Sequence, residues 1–452
     1  MHPARSTFLG CALLIGALVL LPTAASARTA ILQKDGQWQL QVDGRAYIAR
    51  GVGFSGSSNS TAYDADCARL AALGVNTLRT WGINSETRLL LDAAHKHGLK
   101  VLVGLWMRHG QPGMEGDDNF DYTRDTGGMK QQLEETLKHV RGFKDHPAVL
   151  AWGVGNEVIL NSPHDAAKEA YARFLEKVVR AVKKVDADHP VISVDAWTMA
   201  VPWWEKHVPS LDAYGLNVYG GGIHVLPAEL AKAGVKKPWF ITEFGAQGEW
   251  DAPKDAHGVP REPTDAEKYA AIVDGWNTAL APHVKEGRCL GLFVFNYSSS
   301  FDHTNLWLGM LSGTSTRPAW HAVREAYTGQ KPATPLPRIA AVAVQGAVRE
   351  GPSTWAQVQV DVDATDPKLH GLFFAYNFRG AATRHERDEV RRLDARPGPT
   401  PGTWQVRMPA VRGAIKLYAL GKDDAGNLAM ATTSTRLPFP TPEPARPGSV
   451  PP

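Results

Sequence analysis

The chain has 452 residues, 43% hydrophobic and 21% charged, with a formal net charge of +3. That length exceeds one small module and suits a large domain with an accessory one, and the composition excludes a wholly disordered chain and a multi-span membrane protein. The 49 basic and 46 acidic residues are interspersed, without the basic patch that marks a nucleic-acid binder.

Residues 1–27 have the pattern of a secretory signal. Arg5 supplies the positive start, Phe8 to Leu21 is an apolar run too short to span a bilayer comfortably, and Ala25-Ser26-Ala27 is a small-x-small cleavage site. The expectation is a secreted or periplasmic protein, free of the membrane after cleavage. Cys67 and Cys289 then remain. A disulfide is chemically permitted outside the cytoplasm, but the elements below put these residues at opposite ends of neighbouring elements, so two buried thiols are expected. No Cys/His spacing resembles a zinc site, and neither a metal nor another cofactor is expected.

Residues 30–54 alternate and turn like a short hairpin, with Asp43-Gly44 at a turn, leading into a strand at 47–54. Seven more apolar runs follow: Val75–Thr80, Lys100–Leu105, Val149–Gly155, Val191–Val194, Ala213–Val218, Pro238–Thr242 and Leu290–Asn296. Helical patterns fill the gaps. The clearest, 164–186, spaces Ala170, Phe174, Val178, Val182 and Val185 by three or four. Ser85–His97 and Thr264–Leu280 are similar. Continuous apolar strands separated by helices imply a parallel sheet covered on both sides, and eight such units match a (β/α)8 TIM barrel over 28–328. An open doubly wound sheet is the competing topology, but no G-x-G-x-x-G follows the first strand.

Residues 329–338 form a Pro-rich linker, and beyond it the pattern changes to period two. Ala356–Val362, Leu372–Tyr376 and Ala414–Ala419 alternate, and Asp423–Asn427 marks a turn. Residues 339–437 therefore predict a small all-β sandwich of immunoglobulin or fibronectin type, and 438–452 a disordered Pro-rich tail.

In a barrel the active site gathers where strands end at the C-terminal face. Strand two ends at Arg79. Strand four runs into Asn156-Glu157, strand six into Asn217-Val218-Tyr219, strand seven into Thr242-Glu243-Phe244-Gly245, and strand eight into Phe295-Asn296-Tyr297. Glu157 and Glu243 thus enter one mouth from strands four and seven. Glycosidic cleavage needs such a pair, one protonated to give the leaving oxygen a proton and one ionised to attack the anomeric carbon or activate water. Each negative charge raises the other's pKa, and Arg79 is placed to keep the nucleophile ionised. Tyr219 is expected to hydrogen-bond that nucleophile, and Asn156 to reach the sugar 2-hydroxyl.

Fourteen Trp residues, twelve of them before residue 333, agree with sugar binding, because aromatic rings pack on pyranose C–H faces. Trp152, Trp239 and Trp276 read as core. Trp81, Trp106, Trp197, Trp203, Trp204, Trp250 and Trp307 fall at strand ends or in the following loops. The adjacent pair Trp203-Trp204 is the leading platform, since two neighbouring indoles after strand five do not easily both bury. Oxygen-bearing side chains cluster from Glu115 to Asp121, but their spacing fits no standard calcium loop. Asp195 and His303 either border the cleft or serve the fold.

The motifs resemble those of the retaining (β/α)8-barrel glycosidases whose acid/base and nucleophile follow strands four and seven. Tyr47–Gly53, Leu73–Thr80, Gly155-Asn156-Glu157, Asp212–Tyr219, Thr242–Gly245 and Gly291–Tyr297 carry the likeness. It is greatest to fungal-type β-1,3-glucanosyltransferases and to the barrel domain of glycoside hydrolase family 2, with some likeness to family 5. It covers roughly residues 30–328. Two features depart from it: most glucanosyltransferase cysteines are missing, and Phe295-Asn296 stands where many family 2 and 5 enzymes carry a Trp. The resemblance implies double displacement, with Glu157 as acid/base and Glu243 as nucleophile, and Asn156, Arg79, Tyr219, Asn217, Trp203, Trp204, Trp106 and Asn296 are the candidate substrate contacts. The expected enzyme is a monomeric β-glycoside hydrolase or transglycosidase acting on a β-linked carbohydrate, a β-glucan first and a mannan second. A non-catalytic carbohydrate-binding protein on the same barrel is the alternative.

Overall fold

The computed structural model describes residues 28–56, 60–111, 119–362 and 369–439. The expected signal at 1–27 and most of the Pro-rich tail therefore lie outside the described residues, as does most of the oxygen-rich loop at 115–121.

Three short strands come first: β1 (Thr29–Lys34), β2 (Gln37–Val42) and β3 (Arg45–Tyr47). They form an antiparallel sheet with two Asp-Gly turns, one more than the expected hairpin. At each turn both residues have positive φ (Asp35 52°, Gly36 79°, Asp43 50°, Gly44 75°), the geometry whose twist suits a tight hairpin. Leu40 and Val42, with Ile31, Trp38 and Tyr47 beside them, pack on Leu102, Leu150, Ile192, Phe240 and Phe293 of the barrel interior. Main-chain bonds from Thr29 to Asp188 and from Trp38 to Gly287 tie the sheet to turns that precede barrel strands. The small sheet thus plugs the N-terminal mouth and leaves the opposite mouth for a site.

The barrel strands are β4 (Ala49–Gly56), β5 (Thr77–Arg79), β6 (Lys100–Leu105), β7 (Val149–Asn156), β8 (Val191–Ala196), β9 (Ala213–Asn217), β10 (Trp239–Phe244) and β11 (Cys289–Ser298). All neighbours pair parallel, and β11 returns to β4 to close the cylinder. Each matches one of the eight apolar runs. Closure excludes the open doubly wound sheet.

The helix Asp165–Val185 buries Tyr171, Phe174, Leu175, Val178, Val179 and Val182 against the strands. Ala170 and Val185 lie only at its edge. Trp152 and Trp239 are buried, and Trp276 packs beside them. Cys67, in the helix Tyr63–Ala72, and Cys289, at the start of β11, are buried free thiols, each pushed up to about 12 by burial.

Beyond the helix Pro318–Thr328, eight strands between Ile339 and Leu437 form two four-stranded antiparallel sheets. The strand Gly413–Lys422 shows how they join the barrel. Ile415, Leu417 and Ala419 enter the sandwich core. The alternate residues Lys416, Tyr418 and Leu420 face the other way, where Tyr418 and Leu420 pack with Leu306 of the barrel. This sheet is therefore buried on both faces, and Lys416 is only 2% exposed.

Lys416 Nζ lies 3.0 Å from Glu262 Oε2, and Lys268 Nζ lies 2.6 Å from Glu262 Oε1. Burial alone would raise the Glu262 carboxyl, but the two ammonium groups overcome it and hold it at about 2. His303 belongs to the same boundary, between Tyr418 and Glu249, and Trp307 is buried with its indole N–H on the Gln247 carbonyl. Neither borders an open cleft.

Removing one member of this buried triad leaves a desolvated charge undercompensated, so Lys416→Met is expected to destabilise the protein by about 3 kcal/mol, measured by chemical denaturation. The Glu262 carboxyl lies below its unfolded value of about 4.3. Its contribution is therefore full above about pH 4 and lost as pH falls toward about 2, a loss that the acid-unfolding curve of Lys416→Met should show at higher pH than wild type.

Candidate active site

Asn156 ends β7, and the chain must turn so that Glu157 faces the mouth. Gly155 makes the turn with φ of 73°, and a Cβ there would lie 2.3 Å from the Tyr171 hydroxyl. Glu157 itself has φ of 54°, a strained backbone for a side chain of its size. Its surroundings hold it there. Its N–H donates to the Val194 carbonyl at 2.9 Å. The next turn is fixed by Asp195, whose carboxylate accepts the Ile159 and Leu160 N–H groups at 2.8 and 3.1 Å. Asp195 is 1% exposed and also accepts the Ala196 N–H. It supports the turn from below rather than lining the cleft.

Glu243, on β10, is 7% exposed and surrounded by donors. Arg79 Nη1 and Trp81 Nε1 each reach Oε1 at 2.8 Å, and the Tyr219 hydroxyl reaches Oε2 at 2.8 Å. Burial, then the Glu243 charge, keeps the Tyr219 phenol well above its ordinary range, so it remains a donor. Arg79 also donates from Nη1 to the Thr242 carbonyl at 2.8 Å and from Nη2 to Asn156 Oδ1 at 2.6 Å, and its guanidinium lies 4.9 Å from the Trp81 ring.

Glu157 has a different neighbourhood. Asn217 Nδ2 donates to its Oε1 at 2.9 Å and to Asn156 Oδ1 at 3.2 Å, while Asn217 Oδ1 accepts from the Thr242 hydroxyl at 2.9 Å. Burial, and next the Glu243 charge, push the Glu157 carboxyl up to about 7 against the Asn217 bond. A continuous chain of polar contacts thus joins the two carboxyl groups, from Glu243 through Arg79, Asn156 and Asn217 to Glu157.

Of the residues singled out in the sequence, Glu157, Glu243, Asn156, Arg79, Tyr219 and Asn217 come together here. Trp106 is partly buried at the rim, 4.9 Å from the His109 ring. Asn296 bonds Ser55 at 3.0 Å, and its neighbour Phe295 is the residue whose ring meets Trp81 and Tyr219 edge-on.

The Trp203-Trp204 platform is not there. Both lie on the helix Val201–His207, where successive side chains point about 100° apart. Trp204 is fully buried against Tyr214, and Trp203 packs on the main core with its ring stacked toward His207. A helix, unlike an open loop, can cover both indoles.

Three contributors carry little signal in the sequence. Trp81 is one loop aromatic among seven, although its place two residues beyond Arg79 puts it at the same strand end. Thr242 stands out only as the residue before Glu243. His109, whose Nε2 lies 2.8 Å from the Asn156 carbonyl, follows β6 without any motif to mark it. No group of three or more metal-ligating side chains occurs among the described residues.

Residues 57–274 match the family model described as glycosyl hydrolases family 2, TIM barrel domain. The chain is also similar in structure to a Bacteroides uniformis β-glucuronidase, at 14% identity and a TM-score of 0.50, over 89% of this chain and 47% of that one. It resembles Bacteroides uniformis β-glucuronidase 2 covalently bound to cyclophellitol-6-carboxylate aziridine with the same TM-score and coverages at 13% identity. An endo-1,4-β-mannanase from Rhizomucor miehei matches at 14% identity and a TM-score of 0.50, over 67% of this chain and 100% of that one. The chain spans about half the length of these β-glucuronidases. No curated protein sequence matches it.

Glu157 is expected to titrate with a midpoint near 7, readable by carboxyl carbon NMR. In Glu243→Gln the midpoint should fall, because a neighbouring negative charge is gone, yet stay above the ordinary carboxyl range because burial remains. An unchanged midpoint would put the two groups out of electrostatic reach.

Proposed function

We propose that this chain, a glycosidase built on a barrel of the glycoside hydrolase family 2 type, is a retaining enzyme that opens a β-linked oligo- or polysaccharide by double displacement. One observation carries the reading: two carboxyl groups share a mouth, one among three donors and the other half-buried and bonded to the Asn217 carboxamide.

In the first step the Glu243 carboxylate attacks the anomeric carbon while Glu157 passes its proton to the departing glycosidic oxygen. That forms the glycosyl-enzyme and frees the aglycone as an alcohol. In the second step Glu157, now ionised, takes a proton from water or from a second sugar hydroxyl, and that oxygen displaces Glu243. Loss of the Glu243 charge on forming the intermediate lets Glu157 carry its own charge at lower cost, which suits its change from acid to base. Arg79, Trp81 and Tyr219 orient the nucleophile. Asn156, held by Arg79 and Asn217, is the group beside the acid that reaches the sugar 2-hydroxyl.

The substrate we favour is a β-glucan, with a β-mannan second, and the sandwich is read as accessory to the barrel. Residues 1–27 are read as an export signal. Sequencing of the secreted product should then find Arg28 at its start.

Glu243→Gln is expected to lose activity by about 10³-fold or more on laminari-, manno- and cello-oligosaccharides. Glu157→Gln should lose activity on these while sparing aryl glycosides whose acidic phenol leaves without a proton. Proton NMR should show first-formed products with the anomeric configuration of the substrate. An inverted product, or equal turnover by Glu243→Gln and wild type, would overturn the reading. Elongated oligosaccharides would mean transfer, and only shorter ones hydrolysis.

A further inference from the structure

Among the described residues, Trp250 is the most exposed of the large hydrophobic side chains, at 61%. Its ring meets the Tyr219 ring edge-on at 5.0 Å, and Tyr219 is the residue that donates to Glu243. An uncovered indole therefore stands one side chain from the nucleophile.

The segment that carries it, 245–262, follows β10 without regular helix or strand, and turn bonds from Asp251 to Gly248 and from Ala252 to Glu249, with Gln247 Nε2 on the Asp251 carbonyl, order it locally around the indole. It is also held from outside. Glu249, immediately before Trp250, places Oε2 at 2.8 Å from Arg379 Nη2, which comes from the sandwich, and at 2.8 Å from His303 Nε2. The other ring nitrogen of His303 lies 2.8 Å from the Tyr418 hydroxyl, also of the sandwich. Farther along, Ser434 of the sandwich bonds both Asp255 and His257, at 2.5 and 2.7 Å. At the far end Glu262 meets Lys416. Arg379 is itself fixed, with Nη1 donating to Asn377 Oδ1 at 3.1 Å.

We infer that the sandwich forms part of the substrate cleft at one remove: Arg379, through Glu249, is a positioning residue for a pyranose-stacking platform at Trp250. The inference rests on the glycosidase reading above and adds to it a place for a sugar ring and a reason for the second domain. A bidentate-capable guanidinium suits the task, since one arm takes Glu249 and the other takes Asn377, so the arginine locks the loop against its own sheet. Lysine in its place keeps the charge for Glu249 but lacks the fork.

The test is steady-state kinetics on the best-cleaved member of the laminari-, manno- and cello-oligosaccharide series. Trp250→Ala should raise KM about tenfold. Arg379→Met should raise KM in the same direction with kcat changed by less than about twofold, and Arg379→Lys should recover part of the loss. The double variant Trp250→Ala/Arg379→Met should be no worse than Trp250→Ala, because the arginine acts only through the indole. Unchanged KM in Arg379→Met, or additive losses in the double variant, overturns the inference. Should Arg379→Met fold poorly by circular dichroism, Glu249→Ala, which removes the acceptor for Arg379, puts the same question, with a raised KM expected and an unchanged one decisive against it. A wild type that cleaves none of the oligosaccharides sinks the functional reading instead, so the two failures are distinguishable.

Discussion

A guanidinium only 2% exposed sits beneath the open mouth of the barrel, and the site is arranged around it. A buried cation is costly unless it is paired and its hydrogen-bonding capacity is met. Arg79 meets that demand from two other strands, with Asn156 at the end of β7 and with Thr242 and Glu243 on β10. One short strand thereby fixes the side chains of two others. Such an arrangement needs strand ends that face a common axis, which a closed parallel barrel supplies and an open sheet does not.

From this constraint the two carboxyl groups acquire different characters. Glu243 accepts from a guanidinium, an indole and a phenol. Glu157, half-buried, is moved toward neutrality by desolvation and by the negative charge of its partner, against the bond from the Asn217 carboxamide. In the proposed mechanism, identical side chains in one cavity take the roles of acid and nucleophile through environment alone. The strained backbone at Glu157 is part of the same design, since Asp195 and the Val194 carbonyl hold the turn that aims it.

The boundary between the domains buries charged side chains beside an apolar cluster. Lys416 lies on a strand whose alternate residues enter the sandwich core, and period two alone would leave it in water. The barrel covers that face and supplies Glu262. Neither carboxylate nor ammonium would persist there alone, so the pair ties the identity of one domain's surface to the other's.

The eight barrel strands, three of the helices and the two principal acids were legible from local signals. Apolar runs of Val, Ile and Leu announced β4 to β11 within a few residues, and Asn156-Glu157 and Thr242-Glu243 stood directly at strand ends, where a barrel presents chemistry. Arg79 and Tyr219 were legible for the same reason. What no local pattern contains is the direction of a side chain beyond its own element. The helix that hides Trp204 against Tyr214, the reach of Trp81 to Glu243, the turn of Asn296 toward Ser55 and the burial of His303 beneath the sandwich all depend on partners many residues away in the chain. Periodicity determined which residues face inward from each element. Only the closing of the barrel and the docking of the sandwich decided what they meet, because contact and desolvation are properties of neighbours in space.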